Sequence, residues 1–216
     1  MNEITSLTPI QLKNIKEVNW KLKDLVGPIV WEAPTIFTRN LPKPTTSKSV
    51  QVCPAAVDFD ARYFVIRCPE NLTIRLVADE NRMPILQTNK DHKSDQNESN
   101  LNSMTSLTHP NHWRHKDRPI VQISTPYVFW SEDVIYLNIS SAFMDYRSTP
   151  LPGVTLHARF PINPTSNQLV WAFEWHDIQK EIVFKKGDPW FYIHFETCDP
   201  SRKVRLIQSN HLVYID

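Results

Sequence analysis

Leu169-Val-Trp-Ala-Phe-Glu-Trp-His-Asp177, followed by Glu181-Ile-Val-Phe-Lys-Lys-Gly-Asp-Pro-Trp-Phe-Tyr-Ile-His-Phe-Glu196, is the stretch whose reading decides the fold. A strand sends residues i and i+2 to the same side. By that rule Leu169, Trp171, Phe173 and Trp175 share one face of a first strand, and Glu174 and His176 share the other. In a later strand Phe191, Ile193 and Phe195 share one face, and Trp190, Tyr192, His194 and Glu196 the other. Each strand therefore offers a packing side and a more polar side. Lys185-Lys-Gly-Asp188 reads as the turn that introduces the later strand.

The polar sides carry two pairs of mirrored order, Glu174-x-His176 and His194-x-Glu196. If the two strands pair, four ligand-type side chains fall in one patch. Two histidines and a carboxylate suffice for a non-haem iron site or a catalytic zinc site with an open position. The jelly-roll cupins build metal sites from strands in this way, but their His-x-His pair and glycine-flanked turns are missing here. The plainer reading is a solvated sheet face with cross-strand Glu/His pairs worth about 0.2–1 kcal/mol each. Trp190 and Tyr192 on that side could stack on a ligand, although burial in a core is the commoner fate of such rings.

Outward from this stretch, short alternating runs recur. Ala61–Cys68 and Leu72–Val77 flank Pro69-Glu-Asn71 and read as a hairpin, with Ile66, Ile74 and Leu76 inward and Arg67 and Arg75 outward. Pro119–Ser124 and Tyr127–Trp130, then the turn Ser131-Glu-Asp133 and Val134–Ile139, read as a second hairpin. Val154–Phe160, Val204–Gln208 and a run near Ser49–Cys53 add further strands. About nine to eleven strands at this spacing suggest a sandwich or barrel.

Two segments break the pattern. Thr8-Pro9 resembles a helix start, and Leu12, Ile15, Leu22 and Leu25 form one helical stripe ending at Gly27-Pro28, so a helix is expected over about 9–25. The Pro-rich segment 26–49 then reads as an extended surface arm. Residues 88–108 are so poor in apolar side chains that a mobile polar loop is expected. His109, His112 and His115 follow it. On a helix they would spread over about 120°, a poor geometry for one ion. A polar strand-entry segment anchored by Trp113 fits them better.

Composition narrows the function. The net charge of +1 lacks the basic excess of a duplex-DNA or anionic-membrane binder. No apolar run approaches the ~18 residues that span a bilayer, and no secretory leader is visible at Met1-Asn-Glu-Ile-Thr5. The three cysteines, Cys53, Cys68 and Cys198, form no Cys-x-x-Cys motif and are expected as free thiols of a reducing compartment. With three glycines there is no phosphate-cradling loop, and no Gly-x-Ser-x-Gly elbow is present.

The run Ile182–Phe195, a strand, a Lys-Gly-Asp turn and an apolar strand, is similar to the last hairpin of double-stranded β-helix and β-clip proteins. Thr125–Glu196 also looks like uncharacterised proteins encoded by bacteriophage genomes, including phages of marine bacteria. The resemblance implies a phage or bacterial β-rich protein and assigns no catalytic residue. The dUTPase branch of the β-clip is disfavoured, since its glycine-rich phosphate tail and Ser-Gly-Leu segment are absent.

The expectation is thus a mainly β fold, a sandwich or jelly-roll-like barrel with one N-terminal helix. Residues 1–49 form the helix and arm, and 50–216 the β-rich domain. The function expected is a non-catalytic protein-binding or assembly module in the cytoplasm (the host's, or the virion, if phage-encoded). Its partner would be a protein or a second copy, with no nucleic acid, no membrane and no cofactor. The alternative is a metal-dependent enzyme holding iron or zinc with Glu174, His176, His194 and Glu196. In either case Trp190 and Tyr192 are the candidate binding aromatics.

Overall fold

The computed structural model describes residues 15–23, 29–39, 52–80, 83–88, 102–145, 150–163 and 167–209. Fourteen strands are found among them: β1 (Ile15–Leu22), β2 (Thr35–Ile36), β3 (Tyr63–Arg67), β4 (Leu72–Ala78), β5 (Pro84–Thr88), β6 (Thr105–Leu107), β7 (Ile120–Trp130), β8 (Ile135–Ser141), β9 (Gly153–Thr155), β10 (Ala158–Pro161), β11 (Asn167–Trp175), β12 (Ile182–Phe184), β13 (Pro189–Thr197) and β14 (Lys203–Gln208). A short helix α1 covers Pro54–Asp60. The mainly β class and a coarse sandwich or barrel type hold.

One sheet runs β14-β1-β7-β11-β9, with β6 also on β7. The second runs β10-β8-β13-β3-β2, and a third, β12-β4-β5, completes the wall. β11 and β13, the two strands of the deciding stretch, lie in different sheets. Their packing sides meet in one core. Leu169, Trp171, Phe173 and Trp175 from β11 and Phe191, Ile193 and Phe195 from β13 belong to a single buried cluster. The rings of Trp171 and Trp190 are 5.5 Å apart, and those of Phe129 and Phe195 5.7 Å. Burying each such side chain contributes about 1.5–3 kcal/mol, so this cluster is the main cohesive element.

Several local readings change once the sheets are placed. Ile15–Leu22 is a strand, not part of a helix. Val18 and Trp20 alternate inward at 0 % and 5 % exposure, and β1 gains ladder bonds from both β7 and the parallel β14. Pairing on two sides outweighs a weak helical stripe; its other residues, Leu12 and Leu25, lie outside the described residues. Cys53 precedes a helix rather than ending a strand, because Pro54 supplies the fixed φ of a first helical residue. Within 29–39, Trp31 is buried in the shared core and Phe37 is buried against Tyr192. The expected loop at 88–108 falls mostly outside the described residues.

Neither expected hairpin forms. β3 pairs with β13 and β2, whereas β4 pairs with β12 and β5. β7 and β8 also part company, one into each large sheet. The single strand expected over Val154–Phe160 splits into β9 and β10, again one in each sheet. The corners where the chain changes sheet are held by backbone bonds to each other. Cys68 N–H donates to the Asp188 carbonyl (2.9 Å) and Gly187 N–H to the Cys68 carbonyl (2.8 Å). At the β7–β8 corner, Ser131 N–H donates to Ile162 O (3.0 Å) and its hydroxyl to Glu17 O (2.9 Å). Cys68 is buried, Cys53 and Cys198 are exposed, and all three are free thiols.

Two glycines are required for different reasons. Gly187 has φ of +82°, with open space where a side chain would lie. Gly153 lets β9 approach β11 so closely that a Cβ there would sit 2.1 Å from the Glu174 carbonyl oxygen. Gly187→Ala should cost about 1–2 kcal/mol, the ordinary cost of a left-handed residue. Gly153→Ala should cost more, about 3 kcal/mol, because backbone must move. Urea denaturation of both variants checks the order; a smaller loss at Gly153 contradicts the β9–β11 register.

Candidate functional site

The outer side of β13 is the most structured polar surface of the second sheet. Strand register lines up one row across four strands. Arg159 of β10 lies opposite Asn138 of β8, Asn138 opposite His194 of β13, and His194 opposite Tyr63 of β3. The His194 and Tyr63 rings stack with centroids 5.1 Å apart and planes 28° from parallel. Burial lowers the His194 pKa, more than the neighbouring Glu196 raises it, so the imidazole is neutral near pH 7. Glu196, one pleat further along, accepts from Arg159 Nε at 2.6 Å, and this bond holds its carboxyl below the usual range. The same guanidinium lies 3.7 Å above the Tyr136 ring. The charges here are mutually satisfied.

A depression of about 320 Å³ opens over this row, reached by His157 and Phe143. Its wall continues into an aromatic ridge. Phe143 meets Tyr63 at 5.6 Å and Phe59 meets Tyr63 at 4.9 Å. Phe143 is 53 % exposed and Phe59 42 %. α1, which carries Phe59, buries none of its residues, and Val57 on it is also exposed.

Trp190 leaves the face expected for it, and Tyr192 keeps its face but is covered. A register irregularity between Pro189 and Phe191 turns Trp190 into the core beside Phe191. Tyr192 does face outward, but Phe37, Val65 and Ala142 cover it completely, and its hydroxyl donates to Asp145. Neither ring is available for stacking on a ligand. The usable aromatics are Tyr63, Phe143 and Phe59. Their exposure depends on non-local packing, and alternation alone does not report it.

The other mirrored pair lies on the outer face of a different sheet, since β11 and β13 both turn their apolar faces to the shared core. Glu174 and His176 therefore do not meet His194 and Glu196. Among the described residues no three His, Cys, Asp or Glu side chains gather around a point where a metal ion could sit. Glu174 is instead the hub of a small ionic cluster. It is 2 % exposed. Its Oε2 accepts from Arg114 Nε at 2.7 Å, its Oε1 bonds His176 Nε2 at 2.9 Å, and Arg118 approaches to 3.7 Å. Burial raises the Glu174 pKa, but the bonds from Arg114 and His176 outweigh it, and the net shift is downward. Arg114 belongs to the His109–His115 segment, which forms a 3₁₀ turn at Pro110–His112 with Trp113 Nε1 donating to Thr108 O at 3.0 Å. Sequence reading weighed the histidines of that segment and missed its arginine, 60 residues from its carboxylate.

Comparison with protein-family models, with curated proteins and with solved structures returns no match for this chain.

Because the folded Glu174 pKa lies below its ordinary value of 4.5, the carboxylate stabilises the fold above that pH and loses this effect as pH falls through the folded pKa. Glu174→Gln should lower stability at pH 7 by about 1–2 kcal/mol, a modest loss because Arg114 is largely solvated. Urea denaturation from pH 7 to pH 3 should show the gap between wild type and variant closing below about pH 4.5. A gap independent of pH contradicts the ionic role.

Proposed function

We propose that the protein is a non-catalytic binding module, and that the outer face of its five-stranded sheet docks a protein partner. The observation that carries this reading is α1, a helix that buries none of its own residues yet sets the exposed Phe59 against Tyr63, which in turn meets Phe143. A helix this short is not stable by itself, and its exposed apolar side chains would gain further burial against another molecule. Exposed apolar ridges rimmed by polar groups mark interaction surfaces. The rim here is polar in the required way. Arg39 pairs with Asp60, Arg62 with Asp58 and Arg159 with Glu196, so no bare charge has to be desolvated at the centre. The depression beneath Phe143 and Tyr63 offers room for one apolar side chain of the partner. A metal-dependent reaction has no comparable support, because its four candidate ligands are divided between two sheets.

Selection of a random peptide library on the immobilised protein tests the surface. The expected peptides share an apolar or aromatic centre and bind Phe59→Ser/Phe143→Ser at least about tenfold more weakly, a loss of ~1.4 kcal/mol. The double variant should keep its stability to about 0.5 kcal/mol per site, since both rings are largely exposed. Light scattering of the two proteins identifies a second copy as occupant if wild type dimerises and the variant does not. Unchanged peptide affinity in the variant contradicts the assignment of this face.

A further inference from the structure

Beyond the His194 row, Arg114 has a feature that its ion pair does not use up. Only its Nε bonds Glu174, and its two terminal amino groups have no partner among the described residues. The side chain is 61 % exposed, although the carboxylate that holds it is 2 % exposed. The buried anion therefore fixes the guanidinium plane while leaving its outer edge open. That edge lines a cleft of about 500 Å³, together with His157 and Ser141. Among the described residues no aspartate or glutamate lines the cleft. Its apolar wall is Leu151, Val154 and Leu156. Val154 is the cross-strand neighbour of Glu174 and is 45 % exposed, so apolar surface lies directly beside the arginine.

We infer that this cleft binds a small organic oxyanion, a carboxylate or phosphate head on the Arg114 edge with an apolar body along Val154, Leu151 and Leu156. A guanidinium offers two parallel N–H donors to such a head, and the bond is charge-assisted. Holding the arginine in place beforehand removes much of the side-chain entropy that binding would otherwise cost. Around Glu174 the two arginines outnumber the single carboxylate, which leaves these groups with net positive charge. The cleft volume lies in the usual range for small-molecule sites, about 300–1,000 Å³. The cleft borders the depression of the protein-docking face at His157, but its Arg114 and Val154 walls belong to neither that depression nor the aromatic ridge.

Titration of the full chain with hexanoate, 1-hexanol and inorganic phosphate, followed by amide and arginine Nε NMR shifts, tests it. Hexanoate should shift Val154, Leu156, His157 and the Arg114 Nε resonance saturably, and should bind at least about tenfold more tightly than hexanol. Phosphate saturating the same resonances identifies the head group alone as sufficient; hexanoate without phosphate identifies a carboxylate. Arg114→Gln, which keeps a donor for Glu174, should weaken hexanoate at least about tenfold. Val154→Asp removes none of the groups bonded to Glu174 and should abolish binding by placing a carboxylate beside Arg114 in the cleft. Equal binding of hexanol and hexanoate, hexanoate affinity unchanged in Val154→Asp, or no saturable shift at these residues with either anion, overturns the assignment.

Discussion

The structure depends on the burial of the β11 rings against the β13 rings from opposing sheets. Trp171, Phe173 and Trp175 on one side and Trp190, Phe191 and Phe195 on the other are each 4 % exposed or less. Their association holds β7 and β8, the ladder neighbours of these strands, on either side of one core. The strength of this packing is visible in what it tolerates. The stacked indoles of Trp31 and Trp190 are buried with no acceptor for either N–H among the described residues. Each bare donor costs about 1–3 kcal/mol. Burying an indole surface of 150–250 Å² gains several kcal/mol, enough to offset that cost.

The same packing decides where function can sit. Once both aromatic faces turn inward, Glu174 is committed to one outer surface and His194 and Glu196 to the other. Each surface then recruits its own arginine, Arg114 in the first case and Arg159 in the second. Carboxylates that alternation suggests as metal ligands thereby become ion-pair hubs. The difference in burial matters. Glu196 is open to solvent and its pair is a weak surface contact. Glu174 is enclosed, so its arginine is held in place and becomes a preorganised feature of the adjacent cleft.

Much of the architecture was legible from side-chain alternation. The runs at 61–68, 72–77, 120–130, 135–139, 169–175 and 190–196 are strands, and the inward positions of Ile66, Ile74, Trp171, Phe173 and Ile193 follow from period two. Pairing was not legible. A turn such as Pro69-Glu-Asn71 or Ser131-Glu-Asp133 has the composition of a hairpin, yet the chain uses it to cross between sheets. Alternation states which side of a strand is apolar, and says nothing about which strand lies beside it. The strand at Ile15–Leu22 was hidden because its ladder partners β7 and β14 lie more than a hundred residues away. Trp190 was assigned to the wrong face because the register irregularity between Pro189 and Phe191 breaks the alternation at that residue, while Phe191, Ile193 and Phe195 keep the faces expected for them. The helix at 54–60 did leave a signal, the Pro54-Ala-Ala start, which the neighbouring strand-like run Val50–Cys53 obscured.

The central claim is that the two aromatic strands belong to different sheets. Inter-strand backbone NOEs on isotope-labelled protein test it most directly. The account predicts contacts of Trp171 with Ile123, and of Ile193 with both Ile139 and Phe64. Backbone NOEs joining 169–175 to 190–196 would contradict it, because they would pair the strands and bring both Glu/His pairs to one face.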